Sequence, residues 1–87
     1  MSRAVCIVDD DASVRKSLAN LLRSAGFETL SFAAGDLFLA SALARQSGCV
    51  LLDLRMPGMS GLAVQRELAR LEWRLPVICM SAHWDEG

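Results

Sequence analysis

Three features of this 87-residue chain predict an α/β fold with a doubly wound parallel sheet. Short, continuous apolar runs alternate with stretches of helical periodicity, in the order that right-handed crossovers impose on parallel strands. Two of these runs, Ala4–Val8 and Cys49–Leu52, lead straight into aspartates. Hydrophobic residues make up 53% of the sequence. That is a high share for so short a chain and fits strands buried on both faces.

Each element has its own signal. Ala4–Val8 (AVCIV) reads as a buried strand. Asp9, Asp10 and Asp11 follow, and either of the last two can cap the next helix. From Ala12 to Ala25 the residues Val14, Leu18, Leu21, Leu22 and Ala25 recur at helical spacing and form the expected inner side. Arg15, Lys16, Asn20 and Arg23 point elsewhere, and Gly26 is the expected stop. Glu28–Phe32 alternates weakly and suits an outer strand. Gly35-Asp36 opens a second helix expected to reach about Arg45. Cys49–Leu52 is the third strand, and Asp53 ends it. Met56–Gly61 is loop by its proline and glycines. Ser60 can cap a third helix with Leu62, Val64, Leu68 and Leu71 inside. Leu75–Met80 is a fourth strand, with Pro76 near its start, where a missing N–H is tolerated.

Composition narrows the function classes. A net charge of −1 offers no general attraction to nucleic acid or to a membrane surface. Cys6, Cys49 and Cys79 are odd in number and lie in apolar stretches. They are expected to be small buried hydrophobes in a reducing compartment, not disulfides or zinc ligands. No stretch approaches the ~18 apolar residues of a membrane helix, and the expected location is cytoplasmic.

Ligands of open α/β sheets bind beyond the carboxyl ends of the strands, where strand order reverses. Asp9 and Asp10 end the first strand, Asp53 the third and Ser81 the fourth. With the first and third strands adjacent, three carboxylates and one hydroxyl converge. Carboxylates this close repel, so some stay protonated or a cation sits among them. Oxygen donors without His or Cys favour a hard ion. Mg²⁺ fits, because it takes one or two carboxylates, keeps waters and leaves room for phosphate oxygens. A carboxylate beside it can attack phosphorus and give an aspartyl-phosphate. Taken singly, each aspartate reads as a helix cap or loop residue and Ser81 as a turn residue; the combination favours chemistry. His83 and Trp84 read as surface or packing residues.

Three segments carry a resemblance: Ile7-Val8-Asp9-Asp10-Asp11, Leu51-Leu52-Asp53-Leu54-Arg55-Met56-Pro57-Gly58-Met59-Ser60-Gly61, and Pro76-Val77-Ile78-Cys79-Met80-Ser81-Ala82-His83. Together they resemble the receiver domain of two-component response regulators, most of all its FixJ-like subgroup. The resemblance covers the whole chain but only about the first two-thirds of the family's domain. It implies a flavodoxin-like sheet of order 2-1-3-4, without the fifth strand and last two helices. The expected organisation is one truncated receiver domain over residues 1–87, with four strands, three helices and no output domain. The resemblance further implies Asp53 as phosphoacceptor, with Asp10 and Asp53 as direct Mg²⁺ ligands. Asp9 would act through water, and Arg55 would offer its backbone carbonyl. Ser81, with Ala82, would form the phosphate-binding switch, and a sensor histidine kinase would be the donor. The domain would accept its own phosphoryl group without turning over a substrate.

The pattern also breaks. The family's lysine and aromatic switch residue belong to the fifth strand. Lys16, the one lysine here, lies on the first helix. Losing a charged hydrogen bond to the phosphoryl group costs about 1.5–3 kcal/mol. Trp84 stands where the subgroup usually has a small residue. A fourth strand without its neighbour leaves a bare edge, so a homo-oligomer formed through that edge is expected. Two other classes compete with the phosphoacceptor. One is a receiver-shaped dimerising or sequestering module that is not phosphorylated. The other is a small-molecule phosphotransferase, disfavoured because Arg55 stands where haloacid-dehalogenase-like phosphatases carry a second aspartate.

Overall fold

The computed structural model describes residues 4–80. Its order is β1 (Ala4–Val8), α1 (Ala12–Ser24), β2 (Glu28–Phe32), α2 (Gly35–Ala40), a 3₁₀ turn (Ala44–Gln46), β3 (Cys49–Asp53), α3 (Gly61–Arg70) and β4 (Val77–Met80). The four strands form one parallel sheet of order β2-β1-β3-β4. This is the doubly wound arrangement expected, and β1 and β3 are indeed neighbours.

Register sorts the side chains between two faces, because partners across parallel strands point the same way. Cys6 pairs with Val50 and Val8 with Leu52. These four are fully buried and, with Phe38, Ala44, Met56, Val64 and Leu68, form the main core under α2 and α3. Phe38 anchors it, edge-on to Phe32 at 5.7 Å and stacked on Trp73 at 5.2 Å. Arg45 closes the stack from outside, 5.0 Å over the Trp73 ring. The opposite face belongs to α1, which lies over β1 and β2. Across it, Ile7, Leu51 and Ile78 are in register. Their exposure climbs from fully buried, through half-buried, to 53% at Ile78. Cover is therefore lost from the sheet centre towards β4.

Both long helices end on the same device. After α1, Phe27 N–H reaches Leu22 C=O and Gly26 N–H reaches Arg23 C=O, each at 3.0 Å. Gly26 takes φ 96°, which a side chain would resist. After α3, Trp73 N–H bonds Leu68 C=O and Glu72 N–H bonds Ala69 C=O. Here a non-glycine, Glu72, occupies the left-handed position at φ 55°.

Several expectations need correction. Leu21 is 65% exposed, and the buried residue of α1 is Ala19. Two helical positions differ by about 200°, so seating α1 on the small Ala19 turns Leu21 outward; Ala25 is exposed as well. On α3 the buried stripe is Gly61, Val64 and Leu68, spaced i, i+3, i+7, which leaves Leu62 57% and Leu71 37% exposed. The second helix stops at Ala40 rather than Arg45. Ser41 adopts extended backbone and its Oγ accepts Ala44 N–H at 3.2 Å, starting a separate 3₁₀ turn. Strand β4 begins at Val77, not Leu75. Leu75 N–H is taken by Trp73 C=O, and Pro76 contributes only its carbonyl, to Val50 N–H. Of the cysteines only Cys6 is buried; Cys49 is intermediate and Cys79, on the outer strand, is exposed.

Candidate functional site

The site grows out of two strand ends. Asp9 follows β1 and Asp53 closes β3, and pairing of these strands brings their carboxylates together. One carboxylate oxygen from each of Asp9, Asp10 and Asp53 lies within 4.8 Å of the others. Asp9 and Asp53 are only 2% and 3% exposed, whereas Asp10 faces solvent. Asp11 completes the turn and stands apart from the cluster. Its Oδ1 accepts Ser13 N–H at 2.8 Å and Val14 N–H at 3.3 Å, so Asp11, not Asp10, caps α1.

Backbone and side-chain donors hold the carboxylates in place. Asp9 Oδ1 accepts Asp11 N–H at 2.9 Å, and Asp53 Oδ1 accepts Arg55 N–H at 3.0 Å. The Asp9 backbone is fixed on both sides, since its N–H bonds Phe32 C=O at 3.1 Å and its C=O accepts Arg15 Nη1 at 2.7 Å. Arg15 was read in the sequence as pointing away. Its position, one and a half turns after the strand-end aspartates, was the signal available. Arg55 itself is exposed. Ser81 and Ala82 lie outside the described residues, as do His83 and Trp84.

Gly61 is a further site residue that sequence reasoning treated only as loop. An added Cβ would stand 2.7 Å from Asp53 O and 2.7 Å from Leu54 Cα. Both obstacles are backbone, so α3 or the Asp53–Leu54 segment must move. Gly61→Ala is expected to cost about 1–3 kcal/mol, the usual range for overpacking, and to displace Asp53. Chemical denaturation measures the loss; a wild-type midpoint would show that the close approach is not required.

Electrostatics press in one direction. Burial pushes the Asp9 carboxyl above the ordinary aspartate value of 3.8. The Asp11 N–H works against that rise, and the charges of Asp53, Asp10 and Asp11 add to it. The folded chain therefore holds this proton more tightly than the unfolded chain. The stability linked to it is complete below pH 3.8 and disappears as pH rises through the folded value. In chelator, Asp9→Asn is expected to unfold at a higher temperature than wild type at neutral pH. The gap should close on acidification. A variant that melts lower at neutral pH would mean that the carboxylate stabilises the metal-free fold.

All three clustered donors are carboxylate oxygens, with two buried and one at the mouth. That set suits a hard divalent cation and leaves coordination positions for other oxygens. Such a cation would also relieve the repulsion that raises Asp9.

A profile of the response regulator receiver domain family matches residues 5–87. Nodulation protein W of Bradyrhizobium diazoefficiens is 44% identical over 81 residues, which is 93% of this chain and 36% of that protein. Among solved structures, the response regulator StyR superposes with TM-score 0.90 at 45% identity, covering all of this chain and 44% of that one. The FixJ N-terminal domain superposes with TM-score 0.87 at 40% identity, over 99% of this chain and 69% of that one. TrrA of Thermotoga maritima, at 28–29% identity and TM-scores of 0.83–0.84, has been solved with Mg(2+)-BeF and with the histidine kinase ThkA. This chain covers 95–99% of itself and 71–73% of TrrA in those matches. The chain thus spans little more than a third of the curated relative, and its sequence, sheet order and strand-end aspartates agree on one assignment: it belongs to the receiver domains of two-component response regulators.

Proposed function

We propose that this domain accepts a phosphoryl group from a histidine kinase onto Asp53, with Mg²⁺ held directly by Asp10, Asp53 and the Arg55 carbonyl and through water by Asp9. The observation that carries the reading is the meeting of Asp9, Asp10 and Asp53 oxygens within 4.8 Å at the carboxyl ends of β1 and β3. When bound, Mg²⁺ supplies charge compensation for the phosphoryl oxygens. The chain's own residues do the rest. Asp53 Oδ1 is tied to Arg55 N–H, which fixes the carboxylate and leaves its other oxygen to attack phosphorus. An O–P bond forms as the P–N bond of the kinase phosphohistidine breaks, and the histidine leaves with the electron pair. Burial of Asp9 and Asp53 keeps bulk water from competing. Ser81, with Ala82, is the group we assign to reading the phosphoryl oxygen.

The domain is a self-phosphorylating signalling unit, not a turnover enzyme, and we place it in the cytoplasm. No helix among the described residues is long and apolar enough to cross a membrane. The kinase pairing draws on TrrA, which has been solved with ThkA. A second copy of the chain is the other proposed partner, favoured by the exposed Ile78 on β4.

Intact-mass measurement after incubation with acetyl phosphate and Mg²⁺ tests the central reading. One added phosphoryl group is expected, labile in hydroxylamine as an acyl phosphate must be. No mass change at high donor concentration would leave a receiver-shaped interaction module in its place.

A further inference from the structure

Along the flank of α1 opposite Leu21, a groove of about 260 Å³ opens between the helix and β2. Arg15, Lys16, Asn20 and Arg23 line it from α1, Ser31 lines it from β2, and Ala19 forms its floor. These helical positions fall within an arc of about 140°, so three cations share one side of the helix. Ala19 is 5% exposed, and its small side chain leaves the depth that a longer residue would fill. Among the described residues the one ion pair joins Arg70 to Glu67 on α3, so none of the three groove cations is ion-paired with a described carboxylate. Arg15 is already oriented, because its Nη1 is committed to the Asp9 carbonyl at 2.7 Å. Asn20 and Ser31 add neutral hydrogen-bonding groups between the charges.

This is a local concentration of positive charge on a chain whose net charge is −1. The groove is shallow and open to solvent; what sets it apart from the rest of the helix surface is three like charges gathered around the buried Ala19 with neutral polar groups beside them. Arg15 and Lys16 sit one end apart from Arg23, seven to eight residues along, which is about 10–12 Å on a helix. Among the described residues the lining has no aromatic ring on which a nucleobase could stack. We propose that this groove binds a small non-aromatic polyanion, a short polyphosphate or a polycarboxylate, whose anionic groups are met by the long side chains of Arg15 and Lys16 from one end and Arg23 from the other. The groove shares Arg15 with the backbone of the Asp9–Asp10–Asp53 cluster, but none of the three aspartates is among its described lining, and its occupancy does not depend on phosphorylation of Asp53.

Titration of the ¹⁵N-labelled full chain with tripolyphosphate, and separately with citrate, tests the proposal without Mg²⁺. At least one of the two is expected to shift the amide signals of residues 12–23 and of Ser31 at millimolar concentration or below. The more potent one identifies phosphate or carboxylate as the ligand chemistry. Lys16→Gln and Arg23→Gln are each expected to weaken binding about tenfold, the scale of one hydrogen bond to a charged group. Circular dichroism confirms that both variants stay folded; if either does not, Asn20→Ala replaces it. Raising ionic strength from ~0.01 M to ~1 M shortens the screening length from about 30 Å to about 3 Å and should abolish binding. Shifts confined to the strand ends, or none from either anion, would overturn the proposal. So would equal affinity in the charge-removed variants. A response of the same residues to an acidic peptide or an oligonucleotide alone would also overturn it, by assigning the groove to a macromolecule.

Discussion

Asp53→Asn is expected to leave the chain with no added phosphoryl group under donor conditions that modify the wild type fully. The amide keeps the shape of the side chain, and its oxygen can still accept Arg55 N–H, the 3.0 Å bond that positions Asp53. What it lacks is a nucleophilic carboxylate oxygen, so the loss is of chemistry and not of fold. Asp10→Asn separates the roles further. Asp10 is exposed while Asp53 is buried, so removing its charge leaves the nucleophile intact but takes away one of three clustered oxygens. Phosphorylation should then persist but slow at least tenfold and require more Mg²⁺. Asp36→Asn, on the first turn of α2 and outside the cluster, serves as a control and should match wild type. Intact mass followed over time reads all three variants. Full phosphorylation of Asp53→Asn would place the acceptor elsewhere and remove the basis of the assignment.

What the sequence could and could not reveal follows from where the information resides. Strands β1 and β3 were legible because each is a continuous apolar run with no polar alternation to obscure it, and an aspartate marks each carboxyl end. Ser60 was legible because its cap is local; Ala63 N–H donates to its Oγ at 3.2 Å. The inner side of α1 was not. Leu18, Leu21 and Leu22 fit one apolar stripe, and only the docking of α1 on β1 and β2 selects Ala19 as the contact and leaves Leu21 out. The break at Ser41 was hidden for a related reason. Leu37, Phe38 and Leu39 suit a longer helix, but Ser41, extended and accepting the Ala44 N–H on its Oγ, competes locally with the helix. Gly61 looked like loop material, since nothing in a linear sequence announces that a Cβ would meet the carbonyl of Asp53, eight residues earlier. Strand order came from the resemblance, because periodicity carries no information about which strands pair.

The exposed side of β4 has the largest consequence for assembly. Ile7, Leu51 and Ile78 share one face and one register, yet α1 covers only the first of them fully. Leu21, 65% exposed, lies on the α1 flank away from the basic groove and adds a second apolar side chain left in water. On its outer side β4 has no partner strand among the described residues. Apolar area left in water costs roughly 25 cal/mol per Å², and burying one Ile side chain fully returns about 1.5–3 kcal/mol. Ile78 is 53% exposed, so about half of that gain is still open to it, and a two-fold axis doubles each contact. Ile78 alone can then contribute about 1.5–3 kcal/mol, or a factor of roughly 10–10² in dissociation constant. The 87-residue chain is therefore expected to sediment as a dimer at micromolar concentration, with Ile78→Lys predominantly monomeric. The substitution should leave the monomer fold intact, because Ile78 is already 53% exposed within it. Leu62→Lys provides the comparison. Leu62 is just as exposed, at 57%, but sits on α3 over the other sheet face, and its variant should remain dimeric. A wild-type chain that sediments as a monomer at every concentration and melts sharply would show that the exposed apolar face is stable in water and that β4 does not pair between copies.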